Sequence, residues 1–215
     1  MKKTILTVLT MAALLGVAPA GADETVRAFK QQIPAGSAGK VALDFPVGEV
    51  RVEAWDDSKV DLDVKIECDR PTTKCKEAAQ KLRLVYDNSG DRLRVEIKEW
   101  PKFNGSKGLE VHAVIRVPRE LSLGVDLGVG ELTVKGIQGD VTADLGVGEV
   151  SVILPRASVG SVDLDTGVGE ANLVVDGRRY ESSGLVAKEL RWNKGAGHSG
   201  VTVDCGVGEI DVRLE

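Results

Sequence analysis

Paired carboxylates five residues apart recur along the C-terminal half of the chain, each pair bracketing a Gly-Val-Gly corner. The first is Asp126-Leu127-Gly128-Val129-Gly130-Glu131. Asp144 and Glu149 flank Gly146 and Gly148, Asp165 and Glu170 flank Gly167 and Gly169, and Asp204 and Glu209 flank Gly206 and Gly208. An early cousin is Asp44-Phe45-Pro46-Val47-Gly48-Glu49. Carboxylates repeated in this way could hold divalent cations through oxygen, or supply the acids of a carbohydrate-active β-helix enzyme. Neither chemistry fits closely. The corners lack the Gly-Gly-x-Gly-x-Asp calcium nonapeptide, and a tight calcium site needs about six to eight converging oxygens. Polysaccharide enzymes need longer coils with inserted loops, and the inserts here are short. The expected state of the ladder is solvation, with Lys135, Arg156 and Lys188 nearby to offset repulsion.

Other reactive residues give weaker patterns. Gly195-Ala196-Gly197-His198-Ser199-Gly200 has the letters of a dinucleotide loop, but it leads into the apparent strand Val201-Thr202-Val203 rather than a helix. Ser37-Ala38-Gly39-Lys40 also runs into a strand, against a Ser-x-x-Lys nucleophile. His112 and His198 lie in no metal-spaced cluster. His112 alternates outward between Val111 and Ala113. Trp55, Trp100 and Trp192 are far apart in sequence, and Trp192 falls at an inward position. Cys68 and Cys75 flank a turn-like segment whose spacing suits a disulfide in an oxidising compartment. Cys205 shares its slot with Phe45, Leu127, Leu145 and Thr166, which predicts a buried free thiol rather than a nucleophile. No catalytic residue, metal ligand set or cofactor is implied.

The elements that position the corners follow from the repeat. Glu131 to Glu149 is 18 residues, Glu149 to Glu170 is 21 and Glu170 to Glu209 is 39. A degenerate copy, Gly184 to Trp192 with Glu189 at the marker, divides the last step into 19 and 20. Apolar residues on either side of each corner lie two apart, which is strand period. Units of this length are too short for a strand-helix-strand crossover of ~30 residues. They suit the coils of a β-solenoid, stacked so that neighbours bury what one coil cannot. The predicted class is all-β: a single-stranded, β-helix-like solenoid of ~20-residue coils, with one short helix in the N-terminal half.

Met1–Ala22 reads as a secretory signal, with Lys2 and Lys3 before an apolar run too short to span a bilayer. The expected cut follows Ala22, and no later stretch is long enough for a membrane span. Without Lys2 and Lys3, 26 of the 28 basic residues remain against 33 acids, a formal −7. That balance disfavours nucleic acid and anionic lipid as partners. Residues 23–215 read as one unit, with an irregular half over 23–117 and regular coils over 118–215. The first half offers strands at Val26–Ile33, around the Pro46-Val47-Gly48 corner, at Val60–Ile66 and at Leu109–Val117. It also offers a helix over Lys74–Leu84 capped by Thr72 or Thr73, and a hairpin about Asn88-Ser89-Gly90-Asp91.

The stretch Leu43-Asp44-Phe45-Pro46-Val47-Gly48-Glu49-Val50-Arg51-Val52-Glu53-Ala54-Trp55-Asp56 resembles the opening of the bacterial putative-adhesin family. This is a domain of unknown function with a β-solenoid, or toast-rack, fold, and the resemblance extends over the mature chain. The chain departs from it in using Gly-Val-Gly-Glu at corners where the family more often has Ser-Gly-Asp. The resemblance implies a non-enzymatic envelope or extracellular protein and carries no functional residue with it. Together these features predict an exported, periplasmic or secreted protein of structural or interaction role. Its partner would be an envelope or extracellular protein, or further copies of itself. A cation-binding solenoid is the alternative, and a carbohydrate-active β-helix enzyme comes after it.

Overall fold

A computed structural model describes residues 24–101, 108–182 and 188–215. The expected leader Met1–Ala22 lies outside the described residues, as do most of the Trp100–Gly108 loop and the first residues of the degenerate copy. Among the described residues the architecture is all-β with one short helix: a 12-stranded open sheet in the order β1-β3-β6-β2-β7-β8-β12-β9-β10, with β11 on β9 and β4-β5 on β2. Its strands are β1 (Glu24–Pro34), β2 (Lys40–Trp55), β3 (Lys59–Cys68), β4 (Arg83–Ser89), β5 (Arg92–Lys98) and β6 (Leu109–Pro118). Then come β7 (Ser122–Lys135), β8 (Val141–Leu154), β9 (Val159–Val175), β10 (Arg178–Glu181), β11 (Lys188–Trp192) and β12 (Ser199–Leu214).

The long strands run through the corners instead of stopping at them. β2, β7, β8, β12 and β9 are neighbours in parallel. Leu123 near the start of β7 pairs with Val141 at the start of β8. A 14-residue strand extended at ~3.3 Å per residue would end about 40 Å from its start. Residues 136–140 can span only about 20 Å. β7 must therefore double back at Gly128-Val129-Gly130, which is why so short a link can join parallel strands. The corner also divides each terminal strand between two partners. The first part of β2 pairs with β5 and its second part with β6. The first part of β9 pairs with β11 and its second part with β10.

Alternation on both sides of the corner fills the interior. Phe45, Leu127, Leu145, Cys205 and Thr166 are paired in register and all buried. Val50, Leu132, Val150, Ile210 and Ala171 form a matching row on the other side of the bend. Each large apolar side chain so buried contributes roughly 1.5–3 kcal/mol.

Two expectations are corrected. Neighbours in sequence are not always neighbours in space: β12 inserts between β8 and β9. The degenerate copy is not another parallel rung. β11 runs antiparallel to β9, with Glu189 opposite Asp165. The reason lies at Asp176-Gly177, both in the left-handed region (φ 51° and 74°), which turns the chain back along β9. With β10 and β11 on that edge, the remaining slot is the one beside β8.

The helix α1 (Thr73–Lys81) is shorter than expected and ends before Leu82, whose φ and ψ are extended. Thr72 caps it by accepting from Cys75 N–H at 3.2 Å. It packs on β1 and β3 through Cys75 and Ala79, and the Cys68–Cys75 disulfide ties its first turn to the end of β3.

Candidate functional site

The corners stack into a ridge. Each second glycine has a φ that L side chains rarely adopt, +140° at Gly148. A Cβ there would lie 1.8 Å from the Gly130 carbonyl oxygen of the next rung. At Gly146 it would lie 2.4 Å from the Gly128 oxygen. Only glycine lets neighbouring corners approach this closely. Gly48, Gly130, Gly148, Gly208 and Gly169 thus align in register across the five strands.

Three rows of side chains result. Asp44, Asp126, Asp144, Asp204 and Asp165 form one. Glu49, Glu131, Glu149, Glu209 and Glu170 form another. Between them run Val47, Val129, Val147, Val207 and Val168. The register does not drift at the corners, contrary to what the unequal repeat lengths suggest: the longer step into β9 is taken up before its corner, in a longer strand with a bulge opposite Ser199 and Gly200.

Like charges at about 4.8 Å repel, and the carboxyl groups respond. The Asp204 carboxyl is held above its ordinary value by partial burial, then by Asp144, Asp165 and Asp163. Glu209 is raised by Asp211 first, then by partial burial, Glu149 and Glu170. Asp44 is raised by burial, Asp126 and Glu96, against Arg94 and Lys98. At this β2 end the Asp row borders a hollow of about 200 Å³ rimmed by Lys40, Arg92 and Arg94.

Few cations offset the rows. Arg51 meets Glu49 at 3.0 Å. Arg156, expected near the ladder, instead approaches Asp176 at 3.7 Å and lies over the Trp192 ring. Among the described residues, no ion pair reaches Asp126, Glu131, Asp144, Glu149, Asp165, Glu170, Asp204 or Glu209.

One carboxylate group beside the ridge has metal-like proximity. Asp163, Asp165 and Glu189 offer oxygens within 4.8 Å of one another. Arg191 takes that position, bridging Glu189 and Asp163, and these acids raise its pKa. The group is an ion-pair network with its own cation.

His112 is less simple than a surface histidine. Its imidazole faces Glu49 from β2 at 3.5 Å, Glu67 from β3 at 3.6 Å and Glu110 on β6 at 3.8 Å. Its Nε2 is buried without a hydrogen bond. Sequence reasoning missed this because the acids come from three strands whose pairing only the fold supplies.

The remaining motifs settle as structure. The Gly195–Gly200 stretch is a loop entering β12, and Ser37–Lys40 is a turn entering β2. Trp55 donates to the Lys59 carbonyl at 2.7 Å, while Trp192 is buried on another element. Cys205 is a buried free thiol, its pKa raised chiefly by burial.

The residues 22–174 match the model of the N-terminal domain of toast_rack, DUF2154. The chain belongs to this toast-rack family. A Clostridium sporogenes structure described as "a putative cell adhesion protein" is similar at 17% identity and TM-score 0.51, over 88% of this chain and 99% of that one. A Bacteroides fragilis structure described as "a putative adhesin" is similar at 13% identity and TM-score 0.28, over 86% and 97%. No curated protein matches. No helix among the described residues is long and apolar enough to cross a membrane.

Proposed function

We propose that the chain is an exported, non-enzymatic interaction module. Its bent strands form a β-solenoid of ~20-residue coils that presents the corner ridge to an envelope or extracellular partner. The observation that carries this reading is the in-register display of Asp, Val and Glu on five neighbouring strands. Catalysis needs unlike groups converging on one reacting atom, whereas a row of like groups suits repeated contact along a line. Export is supported by the sequence of Met1–Ala22 and by the Cys68–Cys75 disulfide, a bond that persists in oxidising compartments. The adhesion wording attached to the similar clostridial structure points the same way.

The test expresses the full chain in a bacterial host with a photoreactive residue at Val147 or, as control, at Arg213. Expected are an N-terminus at Asp23, recovery outside the cytoplasm, and a discrete adduct from position 147 alone. Retention of the leader in the cytoplasm without an adduct, or turnover of acidic polysaccharide by the purified protein, would refute the reading. A second reading, divalent cations bridging neighbouring rungs, is favoured by the stacked carboxylates that no ion pair reaches.

A further inference from the structure

We infer that the corner ridge binds a cationic segment carrying an apolar stripe flanked on both sides by Lys or Arg. The inference rests on the interaction-module reading and specifies the partner's chemistry.

Among the described residues, six large apolar side chains are exposed, and four of them are the ridge valines Val129, Val147, Val207 and Val168, at 45%, 46%, 46% and 57%. The other two, Tyr86 and Val114, lie on β4 and β6. The fold does not require valine at these apices. They contribute nothing to the core, and threonine, of the same branched shape, would serve the backbone equally. A continuous apolar line on an acidic surface is the mark of a contact surface.

The flanks choose the occupant. An Asp row runs on one side of the valines and a Glu row on the other. A partner desolvating the valines must bring positive charge to both sides, or it leaves carboxylates facing an uncompensated surface. A second copy docking ridge to ridge would set acidic rows against acidic rows, which opposes self-association through this face. A neutral apolar partner would bury the valines and leave the rows unpaired. The four exposed valines, three spacings of about 4.8 Å, make a line of about 14 Å, with the half-buried Val47 at its end. That length accommodates roughly 10 residues of helix at ~1.5 Å each, so a 14-residue peptide covers it with a margin.

The experiment uses the purified protein and a synthetic 14-residue Leu/Lys amphipathic peptide, with a Leu/Glu peptide of the same pattern as control. Binding is followed by fluorescence anisotropy at low and high salt. Saturable binding of the Leu/Lys peptide is expected, and none of the Leu/Glu peptide. The triple variant Val129→Ser/Val147→Ser/Val207→Ser should weaken it roughly tenfold or more. Glu131→Gln/Glu149→Gln should weaken it and flatten its salt dependence. Circular dichroism and melting confirm that both variants remain folded. Equal binding by the valine variant would reduce the interaction to unspecific charge and overturn the inference. Dimers that the valine variant disperses would assign the ridge to a second copy and overturn it too. An adduct at Val147 in cells without peptide binding would overturn the cationic occupant while leaving the interaction module standing.

Discussion

Glu209 stands in register with Glu149, its neighbour across β12 and β8, although 60 residues of chain separate them. On its other side is Glu170, which precedes it in the chain. Three like charges thus share one line, and the consequences are measurable.

Neutralising the middle charge should stabilise the protein at neutral pH. Glu209 and Asp204 have folded pKa values above their ordinary 4.5 and 3.8. A carboxyl raised in this way holds its proton more tightly in the folded chain. Its contribution to stability is full below the unfolded pKa and is lost as pH rises through the folded one. Glu209→Gln should therefore raise Tm at pH 7 by about 1–3 °C. The gain should fade as pH falls below the ordinary carboxylate range and shrink in about 1 M salt, where the Debye length is ~3 Å. Thermal melts of variant and parent across pH test this, and an advantage that grew on acidification would contradict it.

Gly148→Ala should be among the most damaging single-methyl additions. The new Cβ meets the Gly130 carbonyl oxygen, and the backbone there is at φ +140°. Strain of about 1–3 kcal/mol and overpacking of about 1–3 kcal/mol act together. Gly177→Ala, at φ +74° with nothing nearby, should bear backbone strain alone. Urea titration of the two variants should separate them clearly.

Leu145 and Val147 are two residues apart with opposite fates, 3% and 46% exposed. Leu145→Ala should cost about 2–5 kcal/mol, whereas Val147→Ala should change stability by about 0.5 kcal/mol or less. Similar midpoints for the two would mean that the corner does not break the alternation between them.

The short loop closed by Cys68 and Cys75 should add roughly 2.5 kcal/mol by the chain-entropy estimate. Cys68→Ser/Cys75→Ser should lower the urea midpoint accordingly. In the parent protein a thiol reagent should find Cys205 only after denaturation, because that thiol is buried. Peptide mapping that paired Cys205 with either partner would sink this.

Calcium offers the sharpest test between the two readings of the acidic rows. Each rung presents one Asp and one Glu on opposite sides of a valine, and the tightest carboxylate group already holds Arg191. Chelator followed by ~1 mM calcium, within the weak extracellular range, should leave Tm unchanged. A rise of several degrees, absent with magnesium and lost in Glu149→Gln, would promote the cation-binding reading.

The corner, the inward slot and the strand character of both flanks were legible because alternation and glycine spacing are local properties. Phe45, Leu127, Leu145, Thr166 and Cys205 could be assigned to one slot from position alone. The order of the rungs was not legible. Identical repeats are equally good neighbours for one another, so the sequence motif does not choose among stacking orders. The choice falls to Asp176-Gly177, a hairpin signal that was present in the sequence but masked by the stronger 20-residue rhythm. The same rhythm made Glu189 look like a corner marker when its strand runs the other way. The surroundings of His112 depended on antiparallel pairing of β3 with β6, for which no repeat provides a register.

The late insertion of β12 sets a timetable for folding. Before that strand arrives, β8 lacks a partner on one side and β9 lacks one along its full length on the side facing β8, and the unfilled row between them lies open. The backbone groups along those edges can be satisfied only by water or by another chain. A ribosome still holding residues 199–214 therefore holds back closure of the array between β8 and β9, however much of the preceding chain has emerged. Sheet completion waits for residues 199–214, and any factor that shields exposed strand edges would act in that interval.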